Sequence, residues 1–297
     1  MNTNEEILAR MEEDIRLRGL AEGTRRSYLM NAGQFLRYAG RLASELDEED
    51  IRRYLSYLID EKKLAAGCVN TQNAALRFLF GVTLNRNLNY RQIPRLRQVR
   101  SLPGILTKDE LRRVFENAST LRNKAMIMTL YGGGLRLSEV CRLRVSEIDS
   151  ESMRIFINHG KGGKDRYTIL SQTNLEILRE YWREYRPCHP DGWLFLSGDG
   201  SSHSSCRMVQ DAFKAALKRA GITKHATVHT LRTCFATHLL ESGVDVCKVK
   251  QLLGHTHIQS TTFYLHLLNI DPKIKSPLDS MPKKRGRKAK PSGDADA

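Results

Sequence analysis

Residues 153–170 decide how the second half of this chain folds. They read Met153-Arg154-Ile155-Phe156-Ile157, then Asn158-His159-Gly160-Lys161-Gly162-Gly163-Lys164-Asp165, then Arg166-Tyr167-Thr168-Ile169-Leu170. The two outer runs are rich in β-branched and aromatic residues, and the glycines between them allow a tight reversal, so the stretch predicts a β-hairpin with a basic tip. The sequence around it reads as helix. Upstream, Thr107-Lys108-Asp109-Glu110 is a capping-box pattern before Leu111, Val114 and Phe115. The apolar run 122–131 holds Ala125, Met126, Ile127, Met128 and Leu130, and Gly132-Gly133-Gly134 breaks it. A short helix is expected from Ser138 to Leu143. Downstream, helical patterns cover 173–185, 207–220, 230–242, 246–253 and 258–266. A small antiparallel sheet among helices makes this part α+β.

The first 90 residues read as helix alone. Ile7, Met11 and Ile15, continued by Leu17 and Leu20, mark one apolar stripe. Thr24 is a candidate cap for a second helix that buries Tyr28, Leu29, Phe35, Leu36 and Tyr38. Asp47 or Asp50 opens a third, with Ile51, Tyr54, Leu55, Leu58 and Ile59 on one face. A fourth runs from Val69 to about Leu84. Four such helices form a small bundle. From Asn85 to Gly104 the periodicity lapses and Pro94, Pro103 and several arginines appear, which reads as a basic linker. The expected organisation is a helical domain over 1–92, a linker over 93–106, an α+β domain over 107–272, and a C-terminal segment with a basic tail, without fixed structure, over 273–297. The fold class is mostly α.

Charge narrows the partner. The 297 residues carry 48 Lys+Arg against 33 Asp+Glu, a net charge of +15, which favours an anionic polymer. The excess is uneven. Residues 1–61 hold 9 basic and 13 acidic side chains, whereas 62–108 hold nine basic ones and no Asp or Glu. An ordinary solvated surface mixes signs, so this stretch is expected to lie along phosphates. A hydrophobic content of 40% excludes a wholly disordered chain. No apolar run is long enough to span a bilayer, and the acidic start Met1-Asn2-Thr3-Asn4-Glu5-Glu6 is unlike a secretory signal. Six cysteines without Cys-x-x-Cys pairing suit reduced thiols in a cytosol.

Six residues draw attention: Arg136 after the triple glycine, Lys161 on the hairpin, His229 and Arg232 in His229-Thr230-Leu231-Arg232, His255 after Leu252-Leu253-Gly254, and Tyr264 nine residues further on. Singly, each has an ordinary explanation: a surface ion-pair partner, a solvated turn lysine, a structural histidine, a core tyrosine. Together they are what attack on a phosphodiester without a metal requires. Arginine forks hold the non-bridging oxygens and the charge that grows on them. A tyrosine hydroxyl, with an ordinary pKa of about 10, needs a base or a cationic site to act as nucleophile. Histidine can be that base or a phosphate donor, and lysine can protonate the leaving oxygen.

In these motifs the chain resembles the tyrosine recombinase (phage integrase) family over about residues 5–270. The motifs are Gly134-Leu135-Arg136-Leu137-Ser138-Glu139, Gly160-Lys161-Gly162-Gly163-Lys164-Asp165-Arg166, His229-x-Leu231-Arg232 with Phe235-Ala236-Thr237-His238-Leu239, Leu252-Leu253-Gly254-His255, and Thr261-Thr262-Phe263-Tyr264. The resemblance implies a SAM-like core-binding bundle followed by the family's catalytic domain, the two clamping duplex DNA. It implies that Arg136 and Arg232 hold the scissile phosphate, that His229 and His255 act as base and phosphate donor, that Lys161 is the general acid, and that Tyr264 forms a 3′-phosphotyrosyl link. Glu139 would orient Arg136 or simply sit on the surface. No cofactor is implied, neither metal nor ATP. The implied partners are double-stranded DNA, held covalently at Tyr264, and three further copies in a homo-tetramer on two DNA sites. Accessory DNA-bending proteins are compatible with it. The implied setting is a bacterial cytoplasm at the nucleoid, and the implied role is integration or excision of a mobile element or transposition, with replicon-dimer resolution as the alternative. Segments after the nucleophile, here with Leu267, Leu268, Ile270, Ile274 and Leu278, often dock on a neighbouring protomer in the family.

Two positions depart from the family pattern: Thr233 stands where histidine is frequent, and Leu265 where threonine is. Three rivals compete. A zinc site could draw on His229, Cys234, His238, Cys247, His255, His257 and His266, although their spacing is not that of a zinc knuckle. A DNA-binding protein without cleavage would fit the charge but would not need Lys161 and Tyr264. A type IB topoisomerase would share the chemistry. The tail over 282–291 resembles an AT-hook only in part, because Lys288 stands where that motif has proline; a disordered phosphate-binding tail fits it better.

Overall fold

The computed structural model describes residues 3–86, 88–89, 93–97, 104–158, 165–255, 259–262 and 264–265. The chain divides into two units, Met1–Ser101 and Leu102–Ala297.

The first unit is built from α1 (Asn4–Leu17), α2 (Glu22–Ala39), α3 (Glu48–Asp60) and α4 (Ala66–Phe78). Side-chain caps start two of them. The Thr3 hydroxyl accepts from Glu6 N–H, and Asp47 forms a reciprocal capping box with Asp50. Asp47 is therefore the cap of α3, and Asp50 its box partner. Thr24 does not cap α2: that helix begins two residues earlier, after Ala21, with no side-chain cap. Ile7, Met11, Ile15, Phe35, Leu36, Ile51, Tyr54, Leu76 and Phe80 make the core. Leu17 departs from the expected stripe and is 76% exposed. Ile7, Met11 and Ile15 are four apart, and a residue two positions beyond Ile15 falls on the opposite face of α1. Leu20, past the end of α1, is also exposed, and so is Tyr38, whose ring rests against Tyr54 and Tyr57 at the rim of the core.

The fourth helix is shorter than the periodicity predicts. It ends at Phe78, and the chain widens into a π-helical turn over Leu79–Thr83. The start of the segment read as a linker is fastened to α4. Ile93 is buried in the first core. Arg77 and Asn73 donate to the Ile93 carbonyl, and the Asn70 amide exchanges two hydrogen bonds with the Leu96 backbone. Arg95 and Arg97 are thus held at set positions, with their side chains exposed.

The second unit opens on buried backbone. Leu106 is fully buried and its N–H meets Cys234 Sγ at 3.3 Å. Thr107 and Glu110 then form the capping box of α5 (Lys108–Glu116). Next comes α6 (Leu121–Gly132), capped by Thr120, which packs against α8 (Gln172–Tyr185), α9 (Cys206–Arg219) and α10 (Val228–Glu241). Between α6 and α8 lie the short α7 (Leu137–Cys141) and a three-stranded antiparallel sheet in the order β1–β2–β3. The expected hairpin is β2 (Arg154–Ile157) and β3 (Arg166–Ile169), paired Ile155 to Thr168. Strand β1 (Ile148–Asp149) is only two residues long, too short for any period to show. Helices α11 (Val246–Leu253) and α12 (Gln259–Thr262) complete the unit. No helix among the described residues is long and apolar enough to cross a membrane. The expected C-terminal segment and tail over 273–297 lie outside the described residues.

One glycine fixes how α10 meets the turn after α6. Gly134 has φ of +60°, and a Cβ there would lie 2.3 Å from Phe235 Cδ1. Phe235 is buried, so its ring has little room to yield. Gly134→Ala should cost about 2–4 kcal/mol from positive φ and overpacking together. Both tryptophans, Trp182 and Trp193, lie in the second unit, so urea unfolding followed by their fluorescence reads this loss directly. An unchanged midpoint would contradict the packing described.

Candidate active site

The last turn of α11 gathers the site. Its final carbonyls have no partner within the helix, and three arginines from three other elements take them. Arg166, the first residue of β3, donates through Nε to the Leu252 carbonyl at 2.9 Å. Arg232, on α10, donates through Nη2 to the Leu253 carbonyl at 2.5 Å and through Nη1 to the Gly134 carbonyl at 2.7 Å. Arg136, which precedes α7, reaches the Gly254 carbonyl through Nη2 at 3.5 Å. Gly254 ends α11 in the left-handed conformation, φ +63°, and a Cβ there would sit 2.7 Å from Arg166 Cδ. Glycine is therefore needed both for the turn and for the approach of Arg166.

Glu139 binds the same arginines from the other side. Its side chain is 6% exposed. Arg166 holds it with two N–H groups, Nη1 to Oε1 at 2.8 Å and Nη2 to Oε2 at 2.7 Å, the bidentate geometry in which an Arg–carboxylate pair is strongest. Arg136 adds its guanidinium at 2.7 Å and its backbone N–H at 2.7 Å, and Arg232 Nη1 lies 4.0 Å from Oε2. Burial works to raise the Glu139 pKa, but the hydrogen bonds and charges of Arg166 and Arg136 prevail and hold it at about 2. Glu139 is thus a buried hub rather than a surface carboxylate. Arg232, 1% exposed, is drawn down to about 10 by burial and by Arg136, and it stays charged at neutral pH.

The histidines and Tyr264 stand around these cations. His229 opens α10 and is exposed at the surface; the desolvation it does undergo, with the charges of Arg232 and Arg136, holds it below the ordinary histidine value. Burial, together with Arg232, Arg136, Arg166 and His229, pushes His255 down to about 4. Both rings are neutral at pH 7. Tyr264 is 5% exposed and packs with Phe235, Val249 and Leu253. Its ring faces that of His255, centroids 6.1 Å apart and planes 26° from parallel. Burial raises its pKa, against the pull of Arg232, Arg136 and the Thr233 side chain.

Five of the six residues singled out in the sequence therefore converge: Arg136, His229, Arg232, His255 and Tyr264. Lys161 lies outside the described residues, as do His257 and His266. Sequence reasoning missed Arg166. Its signal lies in β3, where Arg166 and Thr168 are turned inward while Tyr167 and Ile169 are exposed. An alternation with polar residues inside and apolar ones outside is the inverse of an ordinary half-buried strand, and it marks Arg166 as a buried cation in need of a carboxylate. It also missed Thr233 as a partner of Tyr264, although that position departs from the family pattern, and Thr261, which meets His255 Nδ1 at 2.9 Å.

Among the described residues no group of three or more His, Cys, Asp or Glu side chains could hold a metal ion. Two residues of the rival zinc reading have other partners: Cys234 accepts from Leu106 N–H, and His238 Nδ1 pairs with the Tyr131 hydroxyl at 2.9 Å. In the first unit an open groove runs between the starts of α2 and α4, lined by Gly23, Thr24, Ser27, Gly67, Thr71 and Arg95 among others. Its small, hydroxylated walls with an arginine and no carboxylate suit a phosphate backbone.

The chain matches the phage integrase family over residues 105–269 and that family's N-terminal SAM-like domain over residues 7–90. It is 40% identical over 277 residues to y4qK of Sinorhizobium fredii, covering 92% of this chain and 89% of that protein. It is 31% identical over 264 residues to a tyrosine recombinase of Thermosipho africanus, covering 83% and 89%. In fold it is similar to a lambda integrase tetramer bound to a Holliday junction, with a TM-score of 0.70 at 19% identity, over 88% of this chain and 76% of that one. This chain belongs to the phage integrase family, the tyrosine recombinases.

The pKa shifts set a pH window for stability. Glu139 is held at about 2 against an ordinary 4.5, so its contribution is present above pH 4.5 and is lost as pH falls toward 2. His255, at about 4 against an ordinary 6.5, and His229 are held neutral in the fold, so stability also declines as pH falls below 6.5. Urea midpoints read by tryptophan fluorescence should therefore fall in two stages below pH 6.5. Glu139→Gln should abolish the lower stage and cost about 3 kcal/mol at pH 7 by leaving buried arginines without their carboxylate. A lower stage that persists in Glu139→Gln would contradict the assignment.

Proposed function

We propose that this protein is a site-specific DNA recombinase that cleaves and rejoins strands of double-stranded DNA through Tyr264. The observation that carries this reading is the placement of a buried tyrosine, two neutral histidines and two charged arginines around one point, the end of α11.

The chemistry follows from those groups. Glu139 and backbone carbonyls hold Arg136 and Arg232 in place; Arg136 is partly exposed, and the buried Arg232 has more N–H groups than the two it gives to the Gly134 and Leu253 carbonyls, so both serve the non-bridging oxygens of a phosphate. Tyr264 Oη attacks phosphorus as His229 takes its proton. The bond to the 5′ oxygen breaks, and Lys161 supplies the proton that oxygen needs. His255 donates to the phosphate. The growing negative charge meets fixed cations in a desolvated site, where they are most effective. One phosphate ester replaces another, so the bond energy stays in the 3′-phosphotyrosyl link, and a 5′ hydroxyl of the partner strand reverses the reaction without ATP.

Two duplexes need four cleavages, which a homo-tetramer on two DNA sites provides, with one Tyr264 per strand. The carboxylate-free stretch 62–108, with exposed Arg95 and Arg97 and the groove beside α4, tracks the phosphate backbone. The biological role is integration or excision of a mobile element, or transposition, in a bacterial cytoplasm.

The direct test uses a nicked suicide substrate from which the cleaved fragment diffuses away. The wild-type chain should leave an adduct that survives denaturing electrophoresis. Tyr264→Phe, which keeps the ring packed against His255, should bind the same DNA and give none. An adduct that still forms with Tyr264→Phe would refute the nucleophile.

A further inference from the structure

The arrangement of His255 contains more than its place beside the phosphate clamp. The ring is neutral at working pH, because burial and the surrounding Arg232, Arg136, Arg166 and His229 all oppose a charge on it. A neutral imidazole has one N–H, on Nδ1 or on Nε2, and only the nitrogen that carries it can donate to a phosphate oxygen. What bonds to one nitrogen decides the other. Here Nδ1 lies 2.9 Å from the hydroxyl of Thr261. Thr261 is 0% exposed. A hydroxyl that deep needs an acceptor for its own proton, and a buried donor without one costs about 1–3 kcal/mol. If Thr261 donates to Nδ1, both groups are satisfied and the ring proton resides on Nε2. If Nδ1 carried the proton, the hydroxyl would have to accept there and find a second acceptor for its own hydrogen.

We propose that Thr261 is a positioning residue for the recombination chemistry: its hydroxyl donates to His255 Nδ1 and holds the ring as the tautomer with its proton on Nε2, ready to bond the scissile phosphate. This rests on the reading of His255 as the phosphate donor. It also has a consequence within the fold. Thr261 is on α12, three residues before Tyr264. The short helix that brings the nucleophile to the site therefore also brings the group that sets His255, so the histidine is correctly set only when that helix is docked.

The test compares Thr261→Val, which keeps the shape and removes the hydroxyl, with Thr261→Ser, which keeps the hydroxyl. Single-turnover adduct formation on the suicide substrate should slow about tenfold in Thr261→Val, and Thr261→Ser should restore most of the rate, with DNA binding equal in both. In a His255→Ala background, Thr261→Val should cost nothing more. Nitrogen-15 spectra of the full-length, histidine-labelled protein, with His255 assigned by its loss in His255→Gln, should show the Nε2–H tautomer in the wild type and a shift toward Nδ1–H in Thr261→Val. The proposal is overturned if Thr261→Val matches the wild type while His255→Ala is slow, if Thr261→Val costs as much without His255 as with it, or if the wild-type ring carries its proton on Nδ1. The second outcome would mean that Thr261 serves only to dock Tyr264. His255→Ala cleaving at the wild-type rate would instead overturn the phosphate-donor reading, and this proposal with it.

Discussion

The end of α11 is the constraint on which the site depends. A helix that stops in the interior leaves carbonyls in need of donors. Here Leu252, Leu253 and Gly254 offer theirs to Arg166, Arg232 and Arg136. Three guanidinium groups so close together repel one another, and Glu139 offsets that repulsion with one buried carboxylate that all three approach. Neither half would be stable alone. The carbonyls provide hydrogen-bond acceptors but no full charge, and the carboxylate provides charge but too few acceptors to fix three planar forks. Together they hold each arginine at a set angle.

Several features that look independent follow from this. Gly254 has no side chain because Arg166 occupies the space. Gly134 has none because Phe235 does, and its carbonyl is in turn a ligand of Arg232. Strand β3 turns polar residues inward because Arg166 must reach Glu139 and because Thr168 donates to the Gly133 carbonyl at 2.7 Å. The apolar satellite of Phe235, Val249, Leu253 and Tyr264 seats the tyrosine beside the arginines. Tyr264 is therefore placed by hydrophobic burial, and its hydroxyl is left to the polar groups around it.

Much of this was legible in the sequence, and what was not has physical reasons. The hairpin, the capping box at Thr107, the opening of α3 at Asp47 or Asp50, and the helices over about 173–185 and 246–253 follow from local periodicity and turn chemistry, which a single sequence carries. Local signals fail where tertiary contacts override them. Thr24 has the composition of a cap, but the chain enters α2 at Glu22. Leu17 continues an apolar composition but not the helical phase. The end of α4 is widened by a π turn. Segment 93–97 lacks period because it lies on α4 through Asn70, Asn73 and Arg77, contacts that no local pattern encodes. In the site, Arg136, Arg232, His255 and Tyr264 are visible as motif residues. The roles of Arg166, Thr233 and Thr261 are visible only once strands and helices distant in sequence bring them to their partners.

In the proposed chemistry, the buried network presents fixed positive charge to a phosphate. The most direct test removes that need from the DNA rather than from the protein. A suicide substrate whose scissile phosphate is replaced by a neutral methylphosphonate has one less charge to stabilise. Arg136→Ala, which leaves the Arg166–Glu139 pair in place, should cleave the ordinary substrate very poorly and recover much of its adduct formation on the methylphosphonate. An equal loss on both substrates would mean that Arg136 does something other than neutralise phosphate charge, and the central claim would fail.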